Sequence, residues 1–468
     1  MHSATLDQLV SLAKRRGFVY PTSEIYGGLA NSYDYGPLGA QLLKNIRDLW
    51  WHHFIESRPD MTGIDSQIIQ HPQTWIASGH VAEFNDPLVE DLITHKRYRA
   101  DHVIETWLQL PSQQSNPELQ SLIIENLSLV EMEQLITKHH IVSPEGNPLS
   151  APKGFNLLFE TAIGAVTGEK SKVYLRGETA QGIFANFKQI LDSTRMQLPF
   201  GVGQIGKSFR NEVTTGQFVF RTLEMEQAEI EYFFNPQFQE WQTLLNEWKE
   251  AMWQFVHQTL GIEESCLRWR QHTDQERSHY SLDTYDLEYQ FPFGFKELWG
   301  VAYRTDYDLK QHQQFSGTSL EYRDPQTGES FIPHVIEPAL GIGRAFLMVL
   351  HHAYWHDEAK NRIVLRFKPS LAPITVAVFP LLKNKPELVT KAKEIYHSLL
   401  GKYRVVWDDR GNIGKRYLSQ DEIGTPFCLT IDFETLDNDT ITVRERDSAA
   451  QTRISLASLT QYLDQNLR

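Results

Sequence analysis

The chain has 468 residues, 41% hydrophobic and 22% charged, and a net charge of −14. That length exceeds what one hydrophobic core usually serves and predicts two or three domains; the composition excludes a disordered or fibrous chain, and no apolar run reaches the roughly 18 residues of a membrane span. The acidic balance argues against indiscriminate nucleic-acid binding through a whole-protein field, while leaving a local basic surface open.

At the N-terminus Leu6, Leu9, Val10 and Leu12 have helical spacing and precede Lys14, Arg15 and Arg16, the reverse of a secretory signal. The two cysteines, Cys266 and Cys428, lie far apart without metal-ligand spacing, which points to a reducing, cytoplasmic setting with no structural disulfide. A turn-rich stretch, Tyr26-Gly-Gly-Leu and Tyr33-Asp-Tyr-Gly-Pro-Leu-Gly39, leads into an amphipathic helix from Ala40 to about Ser57. A strand-like run, Gly63 to Pro72, follows. Residues 91–150 turn polar and helical, with signals at Pro117-Glu-Leu and Val130-Glu-Met, and read as an inserted module.

Strand signals return at Val173 to Leu175, Phe200 to Ile205, Phe218-Val-Phe220 and Ile230 to Phe234, before a Trp-rich helix over about Gln237 to Leu260. Glu297 to Leu309, Phe331 to Glu337 and a helix from Arg344 to about Trp355 close this part. Strands joined by hairpins, with helices grouped apart, predict an α+β fold on an antiparallel sheet. After a basic linker, Arg362 to Lys368, residues 370–468 read as a separate mixed α/β unit: a strand Ile374 to Phe379, a helix Glu387 to Leu400, and strands at Tyr403 to Trp407, Phe427 to Ile431 and Thr440 to Val443.

Three groups of residues suggest chemistry. The first is Gly206 to Glu231, where Lys207, Arg210 and Arg221 can meet phosphate and Glu224, Glu226, Glu229 and Glu231 can meet a cation. Glu212 can accept from an adenine amino group or hold Mg²⁺ bound to phosphate. In the second, Arg176-Gly-Glu-Thr-Ala-Gln-Gly182, Glu178 either projects towards a substrate ammonium or caps a helix with Thr179. In the third, Glu337-Pro-Ala-Leu-Gly-Ile-Gly-Arg344, the glycines admit close backbone approach and Arg344 begins a helix, where phosphate is favoured. Each group alone has a plain reading, as an ion pair, a cap or a glycine turn. The His52-His53, His139-His140 and His352/His356 pairs lack a third ligand and read as structural.

Taken together, in this order, the three groups resemble the class II aminoacyl-tRNA synthetases. The text between them is similar to the glycyl-tRNA synthetase family: Tyr33 to Gly39, Trp75-x-x-Ser-Gly-His80 with Phe84 and Asp86-Pro87, Arg97-Tyr-Arg-Ala-Asp-His102, Phe155 to Phe159, Glu178 to Phe184, Arg304-Thr-Asp-Tyr-Asp-Leu309 and Pro333 to Pro338, with Asp408 to Arg416 and Asp421 to Pro426 in the tail. The resemblance implies a catalytic domain over 1–90 and 151–365 interrupted by the 91–150 insert, an anticodon-binding domain over 370–468, and the helix Ala40 to Ser57 as the start of a homodimer interface. It implies activation of glycine by ATP with Mg²⁺ and transfer to tRNA(Gly). Arg210, Glu212 and Arg344 would be catalytic. Arg210, Asn211, Glu212, Phe220, Arg221, Met225, Glu297, Leu298, Gly341, Ile342, Gly343 and Arg344 would hold ATP, with Glu297 a carboxylate near the Mg²⁺. Arg99, Glu178, Met225, Glu226, Gln227, Glu229, Arg304, Glu337 and Ala339 would surround glycine.

The chain departs from the family at four places: Met225 stands where phenylalanine is usual, Ala339 for a serine, Gly177 for a proline, and Asp91 to Lys96 and Ser143 to Asn147 lack the cysteines of many relatives, so no zinc is expected. Two other readings stay open: a synthetase-like RNA-binding or accessory protein without catalysis, and an ATP-dependent ligase forming a non-tRNA amide. Arg404, Arg410, Lys415 and Arg416 beside Tyr403, Trp407 and Tyr417 read as a single-stranded RNA surface.

Overall fold

The computed structural model describes residues 4–113, 116, 119, 122, 124, 127–164, 171–213, 217–274, 276–278 and 280–467. The helical signal at Pro117 and Glu118 falls outside these, as do residues 214–216 of the hairpin loop. Among the described residues no helix is long and apolar enough to cross a membrane.

Seven strands build the central sheet: β1 (Met61–Gly63), β2 (Phe200–Phe209), β3 (Glu224–Phe234), β4 (Leu267–Gln271), β5 (Asp283–Phe291), β6 (Gly294–Thr305) and β7 (His334–Gly341). Their order is β4-β5-β6-β7-β3-β2-β1, antiparallel throughout except for β1 beside β2. This is the antiparallel α+β sheet expected from the grouping of strands and helices. The period of two along β3 sorts its side chains. Ala228, Ile230, Tyr232 and Phe234 enter the largest core cluster, while Phe233 packs in a second cluster on the opposite face. Gln227, Glu229 and Glu231 share the Phe233 face by the same alternation. β7 repeats the pattern, with Ile336 and Leu340 in the large core and Val335 in the other cluster. Acids therefore collect on one face, at the end of the sheet not filled by phenylalanines.

Helix α1 (Leu6–Arg16) starts with a Thr5/Gln8 capping box. Helix α2 (Pro37–Trp51), opened by proline in its first turn, buries Leu42, Leu43, Ile46 and Trp50 in the large core and continues into a wider turn carrying Phe54. Gly39 is required there, because a Cβ would lie 1.9 Å from the Phe18 carbonyl oxygen. On the second face, helix α3 (Ala180–Thr194) buries Ile183, Phe184 and Phe187, and α4 (Tyr307–Ser316) contributes Leu309. Helix α5 (Ile342–Ala353) follows β7 directly and buries Phe346, Leu347 and Leu350.

Two expected strands take other forms. Phe218-Val-Phe220 is a single 3₁₀ turn: all three side chains are buried in one cluster, whereas a strand would turn the middle one away, and Gln217 and Phe218 have φ of 66° and 57°. Of the Gly63 to Pro72 run only Met61–Gly63 joins the sheet; Ile69 makes an isolated bridge to Leu175, and Pro72, lacking an N–H for a ladder, opens the helix Pro72–Ala77.

Between 85 and 156 a small sheet pairs Asn85–Glu90 with Arg97–Arg99 and Lys153–Asn156. The segments at 91–96 and 143–147 are joined by Asp91, which accepts from Ser143 Oγ (2.6 Å), Asn147 Nδ2 (3.0 Å) and the N–H groups of Ile93 (2.9 Å) and Thr94 (2.8 Å). The C-terminal unit has a five-stranded sheet in the order Val405–Trp407, Val376–Pro380, Phe427–Ile431, Thr440–Glu445, Gln451–Ser455, its first three strands parallel. Its helix Pro386–Leu399 buries Leu388, Ala392, Ile395 and Leu399, the expected stripe.

The basic run read as a linker begins instead as a strand, Arg362–Leu365, paired with Tyr354–Asp357. Arg362 is buried and bonds Asp357 (3.0 Å) and Asp421 (2.8 Å), and Arg444 meets both Asp421 oxygens at 2.8 Å. Removing the shared acid leaves two buried guanidinium groups without it, so Asp421→Ala should lower stability by about 3–5 kcal/mol in urea unfolding. A loss below about 1 kcal/mol, the level of an exposed pair, would show that this network does not hold the two units together.

Candidate active site

A cleft of about 200 Å³ opens between the β2–β3 hairpin, β6, β7 and the start of α5. One end is cationic. Arg210, just past β2, donates from Nε to the Gly177 carbonyl (3.1 Å), with its guanidinium carbon 5.2 Å from the Phe84 ring centroid. Arg221, between the 3₁₀ turn and β3, lies 3.8 Å from Glu212. Arg344, in the first turn of α5, pairs with Glu297 at 2.8 Å and stands 4.6 Å from the Phe220 ring centroid. Guanidinium groups from the hairpin and from the helix thus converge on one space, at a helix N-terminus that itself favours anions. Gly343 serves a contact within the protein: a Cβ there would come within 2.9 Å of the Val219 carbonyl oxygen.

The other end is acidic and buried. Glu229 on β3 accepts from the N–H groups of Thr179 (2.8 Å) and Ala180 (2.9 Å) and from the Thr179 hydroxyl, satisfying the N-terminus of α3. Its other oxygen accepts from Gln227 at 2.8 Å. Glu178 lies 3.3 Å from His80 and accepts from Gln181 at 2.9 Å. Glu337 on β7 contacts Arg304, which also meets both oxygens of Asp308 at 2.8 Å. Glu231 is fully buried, and among the described residues neither of its carboxyl oxygens has a hydrogen-bond partner.

Electrostatics follow from this crowding. Burial pushes the Glu337 carboxyl up to about 8, against the pull of Arg304 and with help from Glu229 and Glu178. Burial likewise raises Glu229, with Glu178 adding to it, and raises Glu231 well above the carboxylate range, with Glu337 adding to it. Burial works in the same sense on Glu178, but His80, Arg304 and Gln181 outweigh it and hold that carboxyl below its ordinary value. Glu178, Glu231, Glu337 and Asp308 thus share Arg304 as a buried guanidinium, while Glu229 is held by the N-terminus of α3. Such a pocket gains from an added cation.

Of the residues expected at the site, Glu178, Arg210, Glu212, Phe220, Arg221, Met225, Glu226, Gln227, Glu229, Glu297, Glu337, Ala339, Gly341, Gly343 and Arg344 line this one cleft. Five expected residues do not. Leu298 and Ile342 are in the large core, so only their backbone can reach a ligand. Arg304 lies beneath Glu337, and the Asn211 N–H is engaged by the Leu157 carbonyl (2.8 Å). Arg99 is ion-paired to Asp86 (3.0 Å) and Asp101 (2.6 Å), where it lines a neighbouring cavity of about 1090 Å³ with Tyr98, Trp107 and Glu145. Within the cleft, Glu226 is gripped by Arg47 of α2 at 2.6 and 2.9 Å.

Sequence reasoning left out Tyr35, Tyr280 and the buried supports His80, Gln181 and Asp308. Tyr35 lies in a quoted motif but carried no charge to draw attention, and Tyr280 reaches the cleft by stacking 3.9 Å from the Arg304 guanidinium. Glu212 Oε2 is buried without a hydrogen-bond partner among the described residues, and Glu297 is half-exposed on the same cleft. These hard oxygens suit a Mg²⁺ ion arriving with a polyphosphate.

In the C-terminal unit the arginine cluster divides. Arg416 is buried, donating to the carbonyls of Pro380 (2.6 Å), Gly411 (2.9 Å) and Arg410 (3.2 Å), so it shapes the 408–412 loop and is closed to RNA. Arg404 is half-buried on the Ala372 carbonyl (3.0 Å), while Arg410 and Lys415 are exposed.

The tRNA synthetase class II core domain (G, H, P, S and T) matches residues 164–353, and an anticodon binding domain matches residues 375–466. Along the whole length the chain is similar to glycine–tRNA ligases: 45% identical to that of Caldanaerobacter subterraneus subsp. tengcongensis and 46% to that of Alkaliphilus oremlandii, each over 99% of both chains, and 46% to that of Acetivibrio thermocellus over 98% of both. A cleft cationic at one end and acidic at the other, on an antiparallel sheet followed by an anticodon-binding unit, is accounted for at once by that likeness, and the chain belongs to the glycine–tRNA ligase family of class II aminoacyl-tRNA synthetases.

Proposed function

We propose that the protein activates glycine with ATP to glycyl-adenylate and transfers the glycyl group to the 3′ end of tRNA(Gly). One observation carries this reading: a single cleft holds converging guanidinium groups at one end and buried carboxyl groups at the other, a fit for a polyphosphate joined to the smallest amino acid. Arg210 and Arg344 grip the phosphates, with Arg221 beside them. Phe220 and Met225 flank the base, Met225 packing through its thioether where a ring would stack. Asn211 and the backbone at Leu298, Gly341, Ile342 and Gly343 complete the nucleotide site. Glu212 and Glu297 would hold Mg²⁺, which when bound neutralises phosphate charge.

Glycine's ammonium is met by Glu178, Glu229 and Glu337, with Arg304 fixing Glu337 from beneath. Gln227 and Glu226 border the site, Arg99 approaches from the insert, and Ala339 forms the floor. The glycine carboxylate attacks the α-phosphorus, the bond to pyrophosphate breaks, and the arginines carry the charge of the leaving group. The carboxylate is already ionised, so positioning does the work of a base. The terminal ribose hydroxyl of tRNA then attacks the carbonyl and AMP departs.

This reading includes a catalytic domain over 1–90 and 151–365, an insert over 91–150 and an anticodon-binding domain over 370–468 that presents Arg410 and Lys415 to RNA. It also includes a homodimer formed through α2 and a cytoplasmic location. Against the reading as a non-catalytic relative, Arg210, Glu212 and Arg344 are all present on the cleft.

Pyrophosphate exchange tests it: of the common amino acids, glycine alone should support ATP–pyrophosphate exchange. Arg210→Ala should cut glycine-dependent exchange by about 100-fold or more; exchange within twofold of wild type would overturn that role. The Glu337 carboxyl at about 8 gives a pH test. It gains charge as pH rises through that value, so the KM for glycine should fall between pH 6.5 and 8.5, by up to about tenfold per unit, with the KM for ATP steady. A glycine KM flat across that window would remove Glu337 as the ammonium's partner.

A further inference from the structure

Gln181 stands in the first turn of α3, fully buried, and its amide is used on both sides. Nε2 donates to Glu178 (2.9 Å) and to Asp308 (2.9 Å). Oε1 faces His312 Nε2 at 2.8 Å. Asp308 holds Arg304, which contacts Glu337. One amide therefore ties Glu178, on the loop before α3, to the Asp308–Arg304–Glu337 chain that reaches β7 on the far side of the pocket.

The residue type matters. Two buried carboxylates need donors between them, and a lysine or arginine would supply these together with a positive charge that cancels the pocket's attraction for a cation. A glutamine supplies both N–H donors and adds no charge. Its orientation is also decided from outside. Were the amide reversed, its oxygen would face two carboxylates and its NH₂ would face the donor on His312. Burial lowers the His312 pKa and favours the neutral ring, whose Nε2–H tautomer is the one that donates to Oε1. His312 also lines a groove of about 450 Å³ on the outer side, at the surface end of the chain of contacts.

We propose that Gln181 is a positioning residue for amino-acid recognition and that His312 fixes the direction of its amide. This rests on the glycine reading of the acidic end. The group bound there meets Glu178 and Glu337 at a spacing set by Gln181, while the phosphate end, built on the hairpin and α5, is untouched.

The test is exchange kinetics on the full chain, with separate KM values for glycine and ATP, on Gln181→Met, His312→Leu and His312→Gln. Gln181→Met should raise the glycine KM about 30-fold or more and leave the ATP KM within about threefold. His312→Leu should raise the glycine KM about tenfold. His312→Gln, which sets an amide N–H where Nε2–H was, should return it to within threefold of wild type. In a Gln181→Met background, His312→Leu should add nothing. Equal rises in the glycine and ATP KM values for Gln181→Met would overturn the proposal, as would a glycine KM for His312→Leu equal to that for His312→Gln. If Gln181→Met does not fold, the two His312 variants decide the matter alone. Wild-type protein inactive with glycine would overturn the proposed function; active wild type with unmoved variants would sink this inference only.

Discussion

Four buried acids closing around one guanidinium, with Glu229 beside them, is the constraint on which the site depends. Taking carboxylates out of water is costly, and a pocket with Glu178, Glu229, Glu231, Glu337 and Asp308 behind Arg304 persists only because each charge is matched, capped or neutralised. Glu229 is matched by the N-terminus of α3, Glu178 by His80 and Gln181, and Asp308 by Arg304. Glu231 has no donor among the described residues, and burial there favours the protonated form. The imbalance is what makes the pocket receptive to a small cation.

The sheet supplies the geometry for this imbalance. Because β3 and β7 are antiparallel neighbours, with Glu229 opposite Ala339, their alternating residues fall on one face in register. Glutamates occupy one end of that face and phenylalanines the other, so the same alternation that builds the hydrophobic layer also builds the acidic one. The cationic end comes from residues just outside the strands, Arg210, Arg221 and Arg344, where the chain leaves the ladder and side chains can turn inwards.

Much of this was legible in the sequence because it depends on local pattern. The alternation in Glu224–Phe234, the glycines before Arg344 and the stripe in Pro386–Leu399 follow from spacing alone. The misreadings have a common cause in tertiary contact. Phe218-Val-Phe220 has strand composition, yet all three residues are claimed by one core. Arg416 looked like an RNA ligand because its charge was visible and its four carbonyl acceptors, one of them 36 residues away, were not. Gln181 lies in a quoted motif without a role of its own, since its importance lies in Asp308 and His312, 127 and 131 residues downstream. The resemblance to a family supplied residues such as Arg304, whose burial no local pattern announces.

The join between the two halves of the molecule has a practical meaning. Arg362 sits on a strand of the first half and bonds Asp421 of the second, together with the carbonyls of Arg446 (2.8 Å) and Asp447 (3.0 Å). Arg446 in turn donates to the Phe367 carbonyl at 2.9 Å. Producing the parts before and after residue 369 as separate proteins would leave polar groups shaped for one another facing water on two fragments. The tail would thus be a poor excision product, and a nick at that place would leave the halves clasped.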